Sequence, residues 1–293
     1  MKLTHNRAIA MMVVVALMWS TAGVVTRQLE SARSFEITFW RAFFTSLALL
    51  VILPLMRGRR VFADMRHASR AFWLSGVCWS VMFTAYMVAL NLTSVANVLV
   101  TMALGPLMTA LMARAFIGQR IAPRTWFAIG AAGVGIGIMY GAQVSGDHLV
   151  GTLVALCVPI AAATNWTVTQ HAHAKGLEVD MVPALLVGAL ISSVTTLPLA
   201  YPFQATQHDF AWLVYLGVGQ LAVPCIASVI CTRVLKAPEM SLLALLEVVF
   251  GIALAWLGAG EAPDAAVLTG GTLVIGALLA NELLGWQQRR SEA

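Results

Sequence analysis

Ten apolar runs, each about as long as a bilayer-spanning helix, follow one another along this 293-residue chain: 8–27, 35–56, 69–90, 93–113, 124–142, 149–170, 181–201, 210–231, 238–258 and 265–286. A helix needs roughly 20 predominantly apolar residues to cross hydrocarbon. Hydrocarbon offers the backbone no partners, so only helices and closed barrels can span it. A barrel strand needs only about 9–11 residues and alternates in polarity; these runs are longer and do not alternate. Sixty per cent of the residues are hydrophobic and 11% are charged, against about 25% charged in a soluble domain. The expected fold is an all-α integral membrane protein with ten transmembrane helices. The first run follows Lys2 and Arg7 as a signal peptide would, but it is long and no A-x-A site closes it. It reads as a retained helix.

The basic residues orient the helices. Lys2 and Arg7 precede the first run, and Arg57, Arg59, Arg60, Arg66 and Arg70 follow the second. Arg114, Arg120 and Arg124 flank the link after the fourth, Lys175 follows the sixth, Arg233 and Lys236 the eighth, and Arg289 and Arg290 the tenth. The links after runs three, five, seven and nine carry neither Lys nor Arg. The positive-inside rule therefore puts both termini in the cytoplasm of a bacterial inner-membrane protein. Arg27 and Arg33 are read as balanced by Glu30 and Glu36, and Arg41 lies inside the second run.

The formal charge of +5 is spread over short links, which fits an anionic leaflet rather than nucleic acid. Cys78, Cys157, Cys225 and Cys231 all sit in apolar runs without a CxxC pair, and no histidine falls deep in a run. Neither a metal site, a cofactor nor an intramembrane enzyme is expected. Gly217-Val218-Gly219-Gln220-Leu221-Ala222 formally fits a dinucleotide fingerprint, but it lies inside a span with no preceding strand.

A shift of 142 residues lays Leu107 to Leu111 on Val249 to Ala253 and Gly118-Gln119 on Gly260-Glu261. Runs one to five then match runs six to ten. Five is odd, so the halves 1–146 and 147–293 enter the membrane from opposite sides, the inverted repeat of many secondary transporters.

Leu17 to Thr21, Arg41, Gly105-Pro106, Glu247-Val248 and Ala255 to Glu261 together resemble the drug/metabolite transporter superfamily in its ten-helix EamA-type branch. Trp19-Ser20-Thr21 looks most like the YddG-type aromatic amino-acid exporters. The family's Glu-Pro step is split here: the first half keeps Pro106 and the second keeps Glu247. The resemblance implies export of small solutes across the membrane.

An ionisable group within a span costs a few kcal/mol to insert and by default marks a solute or proton path. Glu247 is such a group, and a partner such as Gln220 or Arg41 would compensate it. Helical spacing adds Asn97 and Thr101 on the fourth run, Gln220 on the eighth, Trp19 and Trp166 on the first and sixth, and Trp79 and Tyr86 on the third. Trp19, Trp79, Tyr86, Asn97, Thr101, Trp166, Gln220 and Glu247 are therefore the candidate substrate-binding residues. Aromatic faces, amides and one acid suit a small neutral or zwitterionic metabolite, such as an aromatic or other apolar amino acid. A drug or lipid-linked solute is the alternative cargo. Phosphorylated sugars would want fixed cations, and Arg41 is the one basic residue away from the ends of a run, where it has the reach to snorkel outward. Gly133, Gly137 and Gly141 form a GxxxGxxxG face expected to pack closely, partly echoed by Thr272, Gly276 and Ala280. Oligomeric state leaves no readable pattern.

Overall fold

Apolar side chains face outward and small polar ones inward, the arrangement that lipid rather than water demands. Leu257 is 84% exposed, Leu55 and Phe127 81%, while Ser75, Asn97 and Ser192 are fully buried. The computed structural model describes residues 3–32, 34–118, 122–141, 146–174, 181–231, 234–235 and 237–291. They form helices α1 (His5–Thr26), α2 (Ser34–Arg57), α3 (Val61–Arg66), α4 (Arg70–Leu92), α5 (Val95–Met102), α6 (Gly105–Ile117) and α7 (Pro123–Gly141). There follow α8 (Gly146–Ala174), α9 (Met181–Ala200), α10 (Gln207–Val214), a π-helical segment (Tyr215–Ala222), α11 (Val223–Cys231), α12 (Ala237–Ala259) and α13 (Ala265–Ser291). No strand occurs among the described residues.

Seven helical stretches among the described residues are long and apolar enough to cross a bilayer: His5–Thr26, Ser34–Arg57, Arg70–Leu92, Val95–Phe116, Val182–Ala200, Gln207–Ser228 and Ala265–Gly285. Leu149–Asn165 and Leu246–Ala259 are apolar but shorter. The protein is thus an all-helical, multi-pass membrane protein. The short α3, in the link after the second run, has no counterpart among the ten expected helices.

Prolines shape two passes. The fourth run is not one helix: α5 stops at Met102 and α6 restarts at Gly105. Pro106 has no N–H to return to residue 102, and its ring crowds that carbonyl. The chain tightens instead, Leu104 N bonding Thr101 O at 3.2 Å before Met108 N resumes the ladder to Leu104 O at 2.9 Å. In the eighth run Pro224 acts on the carbonyl of Gln220 in the same way, and the turns before it widen to π geometry. Thr45 Oγ1 of α2 stands 2.9 Å from Gly217 O in the π segment and 2.7 Å from Arg41 O of its own helix, so its one proton is shared between two carbonyls where the helices meet.

The helices pack in a limited set of pairs: α1 on α12, α8 on α6, α4 on α8, α1 on α11, α4 on α9, α2 on the π segment, α2 on α9 and α7 on α13. Glycine permits the close approaches at Gly217 and Gly135. A Cβ at Gly217 would stand 2.5 Å from Phe44 Cβ and 2.9 Å from Arg41 O, so glycine lets α2 lie against the π segment. A Cβ at Gly135 would stand 2.6 Å from Gly270 O of α13. That second contact corrects the expected GxxxGxxxG face: Gly133 and Gly137 meet nothing within 4 Å, and neither does Gly276. The packed face of α7 instead runs through buried Ala128 and Ala132 to Gly135, at steps of four and three residues.

Charged caps tie down one end of the bundle. Arg27, just beyond α1, donates to Leu90 O and Thr93 O at 2.8 and 3.2 Å, where α4 ends, and pairs with Glu261 Oε2 at 2.9 Å. Glu261 Oε1 accepts from Val95 N, in the first turn of α5, at 2.7 Å. The cation thus meets orphan carbonyls and the anion meets an orphan N–H, each at the helix end whose dipole favours it. Among the described residues Glu36 meets backbone N–H groups rather than an arginine; Arg33, one of its expected partners, lies outside them. Glu36 is fully buried in α2 and accepts from Gln204 N and Ala205 N at 2.9–3.0 Å. Asp209, also fully buried, accepts from Glu30 N, Ser31 N and Thr206 N. Both acids fasten loops.

Candidate functional site

Arg41, seven residues into α2, lies deep enough to reach the bundle centre, yet it also has the length to snorkel outward. It does the reverse. It is 3% exposed, and Nε and Nη2 donate to Gln220 Oε1 at 3.1 and 2.9 Å. Gln220 Nε2 donates onward to Trp19 O at 3.0 Å. The physical reason is supply: lipid offers a guanidinium nothing, whereas the π segment presents a side-chain carbonyl one helix away. Tyr86 of α4 places its ring 5.5 Å from Arg41 Cζ, a cation–π contact strengthened by exclusion from water.

Glu247 of α12 completes the cluster. It is partly buried, within the electrostatic reach of Arg41, Tyr86 and Cys225, and has no hydrogen-bond partner among the described residues. Trp19 packs against the apolar cluster that holds Cys225 of α11, and beside it Thr21 Oγ1 meets Tyr215 Oη at 3.0 Å. Five parts of the fold, α1, α2, α4, the π segment with α11, and α12, thus converge on a guanidinium and a carboxyl group flanked by an indole and a phenol. Such a cluster can hold a small solute carrying both charges and a flat apolar part.

Of the expected site residues, Trp19, Tyr86, Gln220 and Glu247 are brought together here. Trp79 sits one layer away, between α4 and α9, with its ring 5.6 Å from Phe83 and its Nε1 buried without a hydrogen-bond partner among the described residues. Trp19 and Trp79 nevertheless flank one apolar cluster that includes Leu49, Phe83, Leu221 and Cys225. Asn97 and Thr101 stand apart in the packed core. Asn97 Nδ2 donates to Thr93 Oγ1 at 3.0 Å, and Thr101 Oγ1 to Asn97 O at 2.7 Å. The side chain of Trp166 lies outside the described residues. Arg41 was left out of the expected set, although an arginine within a span is by default a functional residue.

Comparison with known proteins adds the following. Residues 6–141 match the family model described as EamA-like transporter family. An uncharacterized transporter of Vibrio cholerae is 30% identical over 130 residues, which take in 41% of each chain. The pseudopaline exporter CntI of Pseudomonas aeruginosa is 23% identical over 248 residues, 84% of each chain. One solved crystal structure superposes with a TM-score of 0.65 over 98% of this chain and 99% of the other, at 20% identity. That likeness is one of fold.

Proposed function

We propose that this chain, whose residues 6–141 match the EamA-like transporter family, exports small metabolites, most readily amino acids with aromatic or other apolar side chains. Arg41 and Glu247, opposite charges held beside Trp19 and Tyr86 within the membrane, carry this reading. Lipid makes unneutralised charge costly, so a solute bearing both signs is the complementary occupant. Export of pseudopaline by a relative of similar length supports the direction of transport.

In this reading α7, α8 and α12 also cross, giving ten spans in two inverted halves, 1–146 and 147–293, with both termini cytoplasmic. The packing supports it. Exchanging α1 with α8, α2 with α9, α4 with α10 to α11, α5 and α6 with α12, and α7 with α13 turns α1 on α12 into α8 on α6. It likewise turns α4 on α8 into α11 on α1, and α4 on α9 into the π segment on α2. Gly118 and Gly260, 142 residues apart, both end a helix with positive φ, 71° and 66°. Alternating access then arises as the halves rock about the central cluster. Cysteine labelling in a variant free of native cysteines tests the orientation. Position 60 is reached by an impermeant reagent only from the cytoplasm, and position 264 only from outside; the opposite pattern overturns the topology.

Selectivity is the test of cargo. Replacing Trp19, Trp79, Tyr86 or Trp166 singly with Leu keeps bulk and removes the ring face. Aromatic contacts contribute roughly 0.5–1.5 kcal/mol beyond burial, so the ratio of aromatic to aliphatic amino-acid flux falls about two- to tenfold where a ring touches cargo. If all four variants keep the wild-type ratio, the aromatic assignment fails.

A further inference from the structure

Arg41 is 97% buried by the complement of its 3% exposure, yet it uses only part of its fork. Nε and Nη2 converge on one acceptor, Gln220 Oε1, and Nη1 has no hydrogen-bond partner among the described residues. The Tyr86 ring lies 5.5 Å from Cζ. The acceptor is itself held, because the Gln220 amide donates to Trp19 O at 3.0 Å. No hydrogen bond joins Arg41 to Glu247. A guanidinium anchored through Nε and Nη2, with Nη1 unclaimed, is preorganised for an anionic oxygen, and its ordering cost is already met by the fold.

We propose that the Nη1 side of Arg41 is the carboxylate subsite for the transported solute, and that Gln220 is the positioning residue presenting it. This rests on the transporter reading above and adds a requirement: the cargo must bear a carboxylate. Gln220 suits its role because a neutral amide fixes the guanidinium without cancelling its charge, as a glutamate there would. One arginine beside one glutamate leaves too little net positive charge for a dianionic phosphate, so a monoanionic carboxylate is the fitting class.

The test uses proteoliposomes holding the full chain, loaded in turn with each of the common amino acids or with its C-terminal amide, which keeps everything but the anionic group. A charge-assisted contact in a buried site separates such a pair by roughly 10- to 100-fold. Amino acids moved by the wild type are therefore expected to leave about 10- to 100-fold faster than their amides. In Arg41→Gln the acid-to-amide ratio falls to about one. Gln220→Glu tests the same point should Arg41→Gln not fold, because a fixed carboxylate against the guanidinium also collapses the ratio. Equal flux of acid and amide in the wild type, or a ratio unchanged in a folded variant, overturns the subsite while leaving the transporter reading intact. No flux of any amino acid overturns both.

Discussion

A disulfide joining α1 to α12, from Val24→Cys with Gly258→Cys in a variant free of native cysteines, arrests transport, and reduction restores it. A Cβ at Gly258 would lie 3.8 Å from Val24 Cβ, inside the roughly 3.5–4.5 Å span that a disulfide bridges. The same place holds the charged latch: Gln28 Nε2 donates to Gly258 O at 3.2 Å, and Arg27 pairs with Glu261 at 2.9 Å while capping the end of α4. In the two-half reading, α1 and α12 come from opposite halves, so opening this end separates them. The latch contacts are partly exposed, 30% for Arg27 and 23% for Glu261, and such pairs are individually weak enough to break in each cycle. A covalent bond is not. Flux is expected to fall at least about tenfold on oxidation, because a conformational step that cannot complete stops turnover. Undiminished flux with the bond demonstrably formed means that α1 and α12 move as one body, and the gate lies elsewhere.

Glu247→Gln lowers transport at least about tenfold at unchanged membrane abundance. Glutamine matches the volume and hydrogen-bonding reach of the carboxylate and removes only its charge. Glu247 has no hydrogen-bond partner among the described residues, so the substitution breaks none of the hydrogen bonds they make. What changes is the electrostatic balance with Arg41 and the attraction for a substrate ammonium. Charged hydrogen bonds of that kind contribute about 1.5–3 kcal/mol, which sets the size of the effect. Flux measured in proteoliposomes at matched protein content checks it. Wild-type flux in Glu247→Gln would reduce the residue to packing and leave Arg41 as the charged determinant.

Much of this protein is legible in its residues taken in order. Solvation by lipid is a local requirement: each segment must satisfy its own backbone and show apolar side chains outward, so helical runs and their approximate ends follow from composition over about 20 residues. Glu247 stands out for the same reason, since charge in such a run is conspicuous wherever its side chain points. The prolines were legible too, but not their effects, because a lost N–H can end a helix, as before Pro106, or widen it, as before Pro224. Which occurs depends on what packs against each site, and at the second α2 lies against the widened segment.

Partnership was not legible. Helical period assigns a residue to a face but does not say which helix covers that face, and several helices compete for each. Gly133, Gly137 and Gly135 all lie on α7, and only the approach of α13 selects Gly135. Asn97 and Gln220 look alike in sequence, one amide in each of two apolar runs. Asn97 finds Thr93 a turn away on its own chain segment, while Gln220 finds Arg41 across 179 positions. Arg41 itself had two physical options, outward to the interface or inward to a carbonyl. Sequence determined that the charge must be satisfied; the tertiary structure decided where, because only packing α2 against the π segment brings an acceptor within 3 Å of a buried guanidinium.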